Sequence, residues 1–257
     1  MSEYKSIHGA KVQTYSTDPD NPIVGQVWFN ATSGTLKFQF QGAGAWSSGG
    51  NLNTGRYRLS GASLASQTAA LVFGGRAPSP PGGSDRNETE EYNGTSWSEQ
   101  NDMSVDRAGH TGFGTQTAAV ATDDYPAATT EEYGGTSWTS GGDLGTSRYG
   151  MGSAGTLTAG LVFGGASPVT GKTEEYDGSS WSESGDLNQA RAGVSGSGTQ
   201  AAALAFGGFP GPSGQALTER YDGTSWAVAP TLANRRFYMG GCGTQALSLA
   251  FGGLQIN

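Results

Sequence analysis

TEEYDGSSWSESGDLNQARAGVSGSGTQAAALAFGG, residues 173–208, is one copy of a unit that recurs along the chain, and its reading decides the fold. Near copies begin at Thr89, Thr130 and Thr218, and a more worn copy surrounds Trp46. Trp46, Trp97, Trp138, Trp181 and Trp226 follow one another at separations of 51, 41, 43 and 45 residues. A unit of this length is one supersecondary element that buries its apolar faces only against its neighbours, so the copies pack side by side.

Each unit divides into four short strands. The Gly-rich stretch at residues 148–156 reads as strand a, and the apolar runs that end in Gly-Gly at residues 67–75, 157–165, 200–208 and 245–253 read as strand b. A continuous apolar run of that length suits a strand covered on both faces. Strand c ends at Tyr, and strand d carries Trp. Between them Asn93-Gly94, Gly134-Gly135, Asp177-Gly178 and Asp222-Gly223 signal two-residue hairpin turns, pairing Tyr92 with Thr95 and Glu90 with Trp97. Four-stranded blades that repeat every ~40 to 50 residues specify an all-β protein of the β-propeller type. Five Trp anchors predict five blades. The chain opens its first unit at strands c and d (LKFQFQ, AWSSGG) and ends at strands a and b (residues 237–253), so the two termini together would close the ring. In the rival reading, Val27 to Asn30 and LKFQF form a hairpin of their own and the C-terminal strands find a partner elsewhere, for instance in a homo-oligomer. The expected division is a 1–34 extension or hairpin followed by a 35–257 propeller.

Composition narrows the function classes. The 44 glycines fall at fixed places in each unit, which is turn chemistry and not disorder. A formal net charge of −8 gives no footprint for nucleic acid and disfavours anionic membranes. No apolar run is long enough to cross a bilayer, so no membrane insertion is expected. One cysteine, Cys242, and two histidines, His8 and His110, leave no imidazole or thiolate cage for a metal, and no cofactor is expected.

Gly-Gly after the second strand, then Tyr, then Trp about five residues on, then Arg, resembles the kelch repeat. The second unit departs from it, with Ala121-Thr122-Asp123 where Phe-Gly-Gly belongs. Residues 18–38, DPDNPIVGQVWFNATSGTLKF, resemble a segment common in phage tail-fibre and other virion proteins: Asn-Pro, Gly-x-x-Trp-Phe-Asn, a Ser-Gly turn and a Leu-Lys strand. Together with GNLNTGR and GTQTAALVFGG, the chain is similar to predicted structural proteins of marine bacteriophages. That resemblance implies a virion component made in the host cytoplasm, with other virion proteins and a host surface glycan or protein as partners.

Arg56, Arg107, Arg148, Arg191 and Arg236 each stand four residues after a Leu or Met at the exit of strand d, and closure would arrange them as a ring. Tyr57, Tyr149 and Tyr238 lie beside them, and the b-to-c loops on the same rim differ most between units. Aromatic faces with Arg donors suit a glycan or an anionic glycan. A structural reading competes: Glu90, Glu131, Glu174 and Glu219 recur and need cationic partners. The first unit has Phe38 in the matching place, so one Arg should lack its Glu and be the best placed for a ligand. Asp102, Asp143 and Asp186 recur as turn residues without the alternating oxygens of a calcium loop. No residues are assigned to catalysis, because glycosidase chemistry needs a facing pair of carboxylates that the sequence does not single out. The expectation is a non-enzymatic tail- or fibre-associated recognition protein, with a structural adaptor and a cellular kelch-type interaction module as alternatives.

Overall fold

A computed structural model describes residues 13–19, 27–38, 48–78, 83–211 and 214–255. Every regular element among them is a strand. The chain falls into two compact units, Met1–Ser48 and Gly49–Asn257.

The first unit is a three-stranded sheet of β1 (Gln13–Tyr15), β2 (Val27–Asn30) and β3 (Thr35–Phe38), with β1 parallel and β3 antiparallel to the central β2. Asn30 accepts the Ser33 N–H on its side-chain oxygen at 2.9 Å and donates to Asp18, which also holds Lys37 at 2.5 Å. The rival hairpin is therefore the one that forms. Residues 35–38, expected as strand c of the closing blade, pair with β2, which moves the unit boundary from 34/35 to 48/49. The first half of AWSSGG, with Trp46, lies outside the described residues.

Among the described residues the second unit holds four complete four-stranded antiparallel blades and half of a fifth. Blade 1 is β4 (Ser60–Gly61), β5 (Ala70–Arg76), β6 (Asp85–Tyr92) and β7 (Trp97–Gln100). Blade 2 is β8 (Thr111–Thr115), β9 (Ala118–Asp124), β10 (Ala127–Tyr133) and β11 (Trp138–Ser140). Blade 3 is β12 (Gly152–Thr156), β13 (Ala159–Phe163), β14 (Thr173–Tyr176) and β15 (Trp181–Ser184). Blade 4 is β16 (Ser195–Thr199), β17 (Ala202–Phe206), β18 (Thr218–Tyr221) and β19 (Trp226–Ala229), and the half-blade is β20 (Gly240–Gly243) with β21 (Ser248–Phe251). The inner strands β4, β8, β12, β16 and β20 follow one another as neighbours. Glycine is required there: a Cβ on Gly112 or Gly196 would stand 2.4 or 2.5 Å from a Phe ring of the preceding blade.

The c–d turn differs from the two-residue hairpin read from the sequence. Tyr92, Tyr133, Tyr176 and Tyr221 pair directly with Trp97, Trp138, Trp181 and Trp226, which leaves four residues in each turn. The Asn93, Asp177 and Asp222 side chains accept the N–H groups two and three residues on, and this local hydrogen bonding favours the longer turn. Tyr and Trp thereby stack at centroid distances of 4.7 to 5.1 Å and face the preceding blade together.

Three bonds join successive blades. The Trp138, Trp181 and Trp226 indoles donate to Thr89, Thr130 and Thr173 of the blade before, at 2.9, 3.1 and 3.0 Å. The Tyr133, Tyr176 and Tyr221 hydroxyls donate to Glu91, Glu132 and Glu175. Gln116, Gln200 and Gln245 each donate to two backbone carbonyls of the preceding blade, so these glutamines couple blades in addition to sitting in turns. Register also corrects the reading of blade 2, because Ala121 pairs with Glu131 as Val72 does with Glu90. Thr122 and Asp123 thus replace the Phe-Gly of the other blades, and Asp123 keeps the left-handed backbone of that glycine, with φ 75°.

Candidate functional site

The upper rim of the blades is built from the segments that connect strand d to strand a and strand b to strand c. Four of the d-to-a segments are laid on their b-to-c neighbours by a backbone bond from the Leu or Met that the sequence singled out, as in Met103 N–H to Asn87 and Leu187 N–H to Gly171. Four residues later comes the recurring Arg. Arg56, Arg107, Arg148 and Arg191 do not line an open rim. Their guanidiniums are buried and donate to Glu90, Glu131, Glu174 and Glu219. The second oxygen of each carboxylate accepts a backbone N–H from Asn53, Ser104, Gly145 or Asn188, so both oxygens are satisfied. These pairs pin the d-to-a segment to strand c. They are out of reach of a ligand.

Arg236 is the exception. It is half-buried, makes no ion pair among the described residues, and reaches only the Gly252 carbonyl at 3.2 Å. Tyr57 and Tyr149, 46% and 40% exposed, stand one residue beyond their arginines, in backbone bridges to Arg76 at the end of strand b and to Ala166 three residues past it. Tyr238 stands two residues beyond Arg236 and is 48% exposed, so it is not their equivalent.

The position two residues after each Arg sets the mouth of the site. Arg58, Gly109, Gly150, Gly193 and Tyr238 occupy it, and all five have left-handed backbone, with φ of 56°, 74°, 67°, 60° and 52°. Gly109 N–H donates to Arg58, Gly193 to Gly150 and Tyr238 to Gly193, at 3.0, 2.8 and 2.9 Å, which links these backbones blade to blade. Three are glycine, as that backbone favours. Two carry large side chains at a cost of order 1 kcal/mol each, the kind of local strain that collects at functional sites.

The Tyr238 ring lies over the glycines of blades 3 and 4, where a Cβ on Gly193 or Gly150 would stand 3.2 or 3.4 Å from its Cε1. Phe209 and Phe237 meet it edge-on at centroid distances of 5.9 and 5.4 Å, and Tyr125, 52% exposed, meets Tyr149 edge-on at 5.7 Å. Burial raises the pKa of the Tyr238 hydroxyl, as does neighbouring Tyr149, while the Arg58 charge opposes the rise. Blades 1, 3 and 5 therefore bring a guanidinium and two phenols within electrostatic reach of one another. Arg58, Tyr125 and Phe209 did not stand out in the sequence. The available signal was the glycine two residues after Arg, broken only by Arg58 and Tyr238.

Such an arc offers aromatic faces, hydroxyl donors and one exposed guanidinium, which is binding chemistry. No group of three or more His, Cys, Asp or Glu side chains among the described residues could hold a metal ion. No family model and no curated protein matches the chain. A solved structure, "Structure of YjhT", matches it with a TM-score of 0.65 over 78% of each chain. The fold is a β-propeller. At 14% sequence identity the likeness to YjhT carries the fold alone and assigns no role to the rim.

Proposed function

We propose that this propeller is a non-enzymatic bacteriophage virion component, associated with the tail or fibre, which presents its upper rim to a glycan on the host surface. The observation that carries the reading is the pair of strained side chains, Arg58 and Tyr238, at positions where the other blades have glycine. Both are exposed, and Tyr238 lies within electrostatic reach of Arg58 and of exposed Tyr149. A saccharide presents apolar C–H faces to tyrosine rings and oxygen acceptors to phenol and guanidinium donors. An acidic sugar would also engage Arg58. The virion assignment is supported by the resemblance of residues 18–38 to phage fibre proteins, and the hairpin of β2 and β3 gives that segment a folded unit of its own.

Two measurements test the reading. Mass spectrometry of purified particles should find the chain in virions, and purified protein should adsorb to host cells in competition with host-derived glycans. Presence in the particle without adsorption would favour a structural adaptor. Absence from particles would favour a cellular interaction module.

A further inference from the structure

We propose that the upper rim takes an extended stretch of a polysaccharide chain, laid across successive blades, and not a single terminal sugar. The inference rests on the reading of the rim as a glycan surface and names the form of glycan that fits it. What the tyrosine hydroxyls do separates the rim from the interior. Between blades, Tyr133, Tyr176 and Tyr221 spend their hydroxyls on Glu91, Glu132 and Glu175. On the rim, Tyr125, Tyr149 and Tyr238 are exposed, and their hydroxyls make no hydrogen bond among the described residues. A phenol in that state keeps a donor and an acceptor for a ligand beside its apolar face, which suits a sugar better than a purely apolar partner.

The three rings follow one another across the blades. Tyr125 comes from the b-to-c loop of blade 2 and meets Tyr149, from the d-to-a segment of blade 3, at a centroid distance of 5.7 Å. Tyr238, from the half-blade, comes next, since a Cβ on Gly150, the residue after Tyr149, would stand 3.4 Å from its ring. Phe209, from the b-to-c loop of blade 4, meets Tyr238 at 5.9 Å, and Phe237 meets it at 5.4 Å, so the ring is held in place over the glycine backbones. Arg58 of blade 1 lies within electrostatic reach of the same ring. Exposed aromatics scattered singly need no explanation, whereas a contiguous run of them marks a binding surface. One pyranose covers the face of one ring. A lone sugar would engage one tyrosine and leave the others in water, while a chain can present a C–H face to each in turn. The steps of 5.7 Å from Tyr125 to Tyr149 and 5.9 Å from Tyr238 to Phe209 are close to the advance of one sugar residue along a glycan. The ligand that uses the whole run is therefore a chain that enters over Tyr125 and passes Tyr149 and Tyr238 toward Arg58.

Size-graded fragments test the inference. Surface polysaccharide from cells that adsorb the full chain is cut by mild acid hydrolysis, separated by length from the monosaccharide upward, and titrated against the full chain by calorimetry. Wild type should gain about fivefold in affinity with each added sugar, the yield of one aromatic contact, until the fragment spans Tyr125, Tyr149 and Tyr238, and then level off. Tyr125→Ala should shrink the ratio between the longest and the shortest fragment about fivefold, with the melting temperature as a check on folding, and Tyr125→Trp, which keeps an aromatic face, should restore it. A monosaccharide that binds as tightly as the longest fragment overturns the inference and leaves the rim reading in place, as does a ratio that Tyr125→Ala leaves unchanged. Cells that adsorb the chain but yield no binding fragment also overturn it and point to a protein receptor. If no cells adsorb the chain, the rim reading falls and this inference with it.

Discussion

Arg148 and Glu174 lie 2.5 Å apart and almost wholly buried, and Arg236 occupies the same place in its blade with no carboxylate partner among the described residues. The comparison isolates what the pair does. Removing one partner of a buried pair leaves an uncompensated charge, so Glu174→Ala should cost about 3 to 5 kcal/mol in urea denaturation. Arg236→Ala should cost less than about 1 kcal/mol. Equal losses would mean that the pairs do not hold the rim. His110 supplies a second residue-scale test. Leu59, Met151, Val194 and Met239 hold its place in the other blades, and among the described residues neither of its buried ring nitrogens has a partner. Burial first, and the Arg107 charge second, depress its pKa from 6.5 to about 3. The folded state holds it neutral, so stability is level above pH 6.5 and falls as acid charges the unfolded chain, by about 2 kcal/mol at pH 5. His110→Phe should flatten that part of the pH profile, and an unchanged slope would assign it to other groups.

At the scale of elements, the blades are joined by polar bonds placed identically from one interface to the next. Gln200 ties blade 4 to two carbonyls of blade 3, and blade 3 itself has Leu157 at that position, packed against the core. Gln200→Ala should lower stability by about 1 to 3 kcal/mol, since two carbonyls lose their donor, and calorimetry would read it as a lower melting temperature. A neutral result would reduce these glutamines to turn residues. Compensation is visible in blade 2. Thr122 replaces the large Phe of strand b, and Phe113 on strand a supplies the ring that Trp181 meets edge-on at 6.1 Å. Gly160 of blade 3 makes room for it, because a Cβ there would stand 2.2 Å from that ring. Sequence periodicity made the strands and their order legible, since apolar runs, Gly-Gly and Tyr–Trp spacing are properties of one unit. The c–d turn was misread because an Asn or Asp side chain that bonds its own turn outweighs the dipeptide signal. The burial of Arg56, Arg107, Arg148 and Arg191 was legible only as a competing possibility, because the deciding fact is a contact between segments far apart in the chain.

For the whole molecule, a repeat predicts what each copy does with its neighbours and says little of where the copies begin and end. Among the described residues four blades are complete, the C-terminal copy contributes its inner half, and the strand expected to finish it lies in the hairpin of the first unit. Nothing in LKFQF alone distinguishes pairing with Val27–Asn30 from pairing with the C-terminal strand, as both partners are short and apolar. The functional reading rests on departures from the repeat, above all Arg58 and Tyr238 in a glycine position. Tyr238→Gly separates recognition from structure most directly, measured as glycan-array or host-cell binding per folded molecule beside the melting temperature. Relief of the left-handed backbone should raise stability by about 0.5 to 1 kcal/mol, while binding falls at least tenfold. Undiminished binding by the glycine variant, with stability raised or not, would contradict the assignment of the rim as the recognition surface.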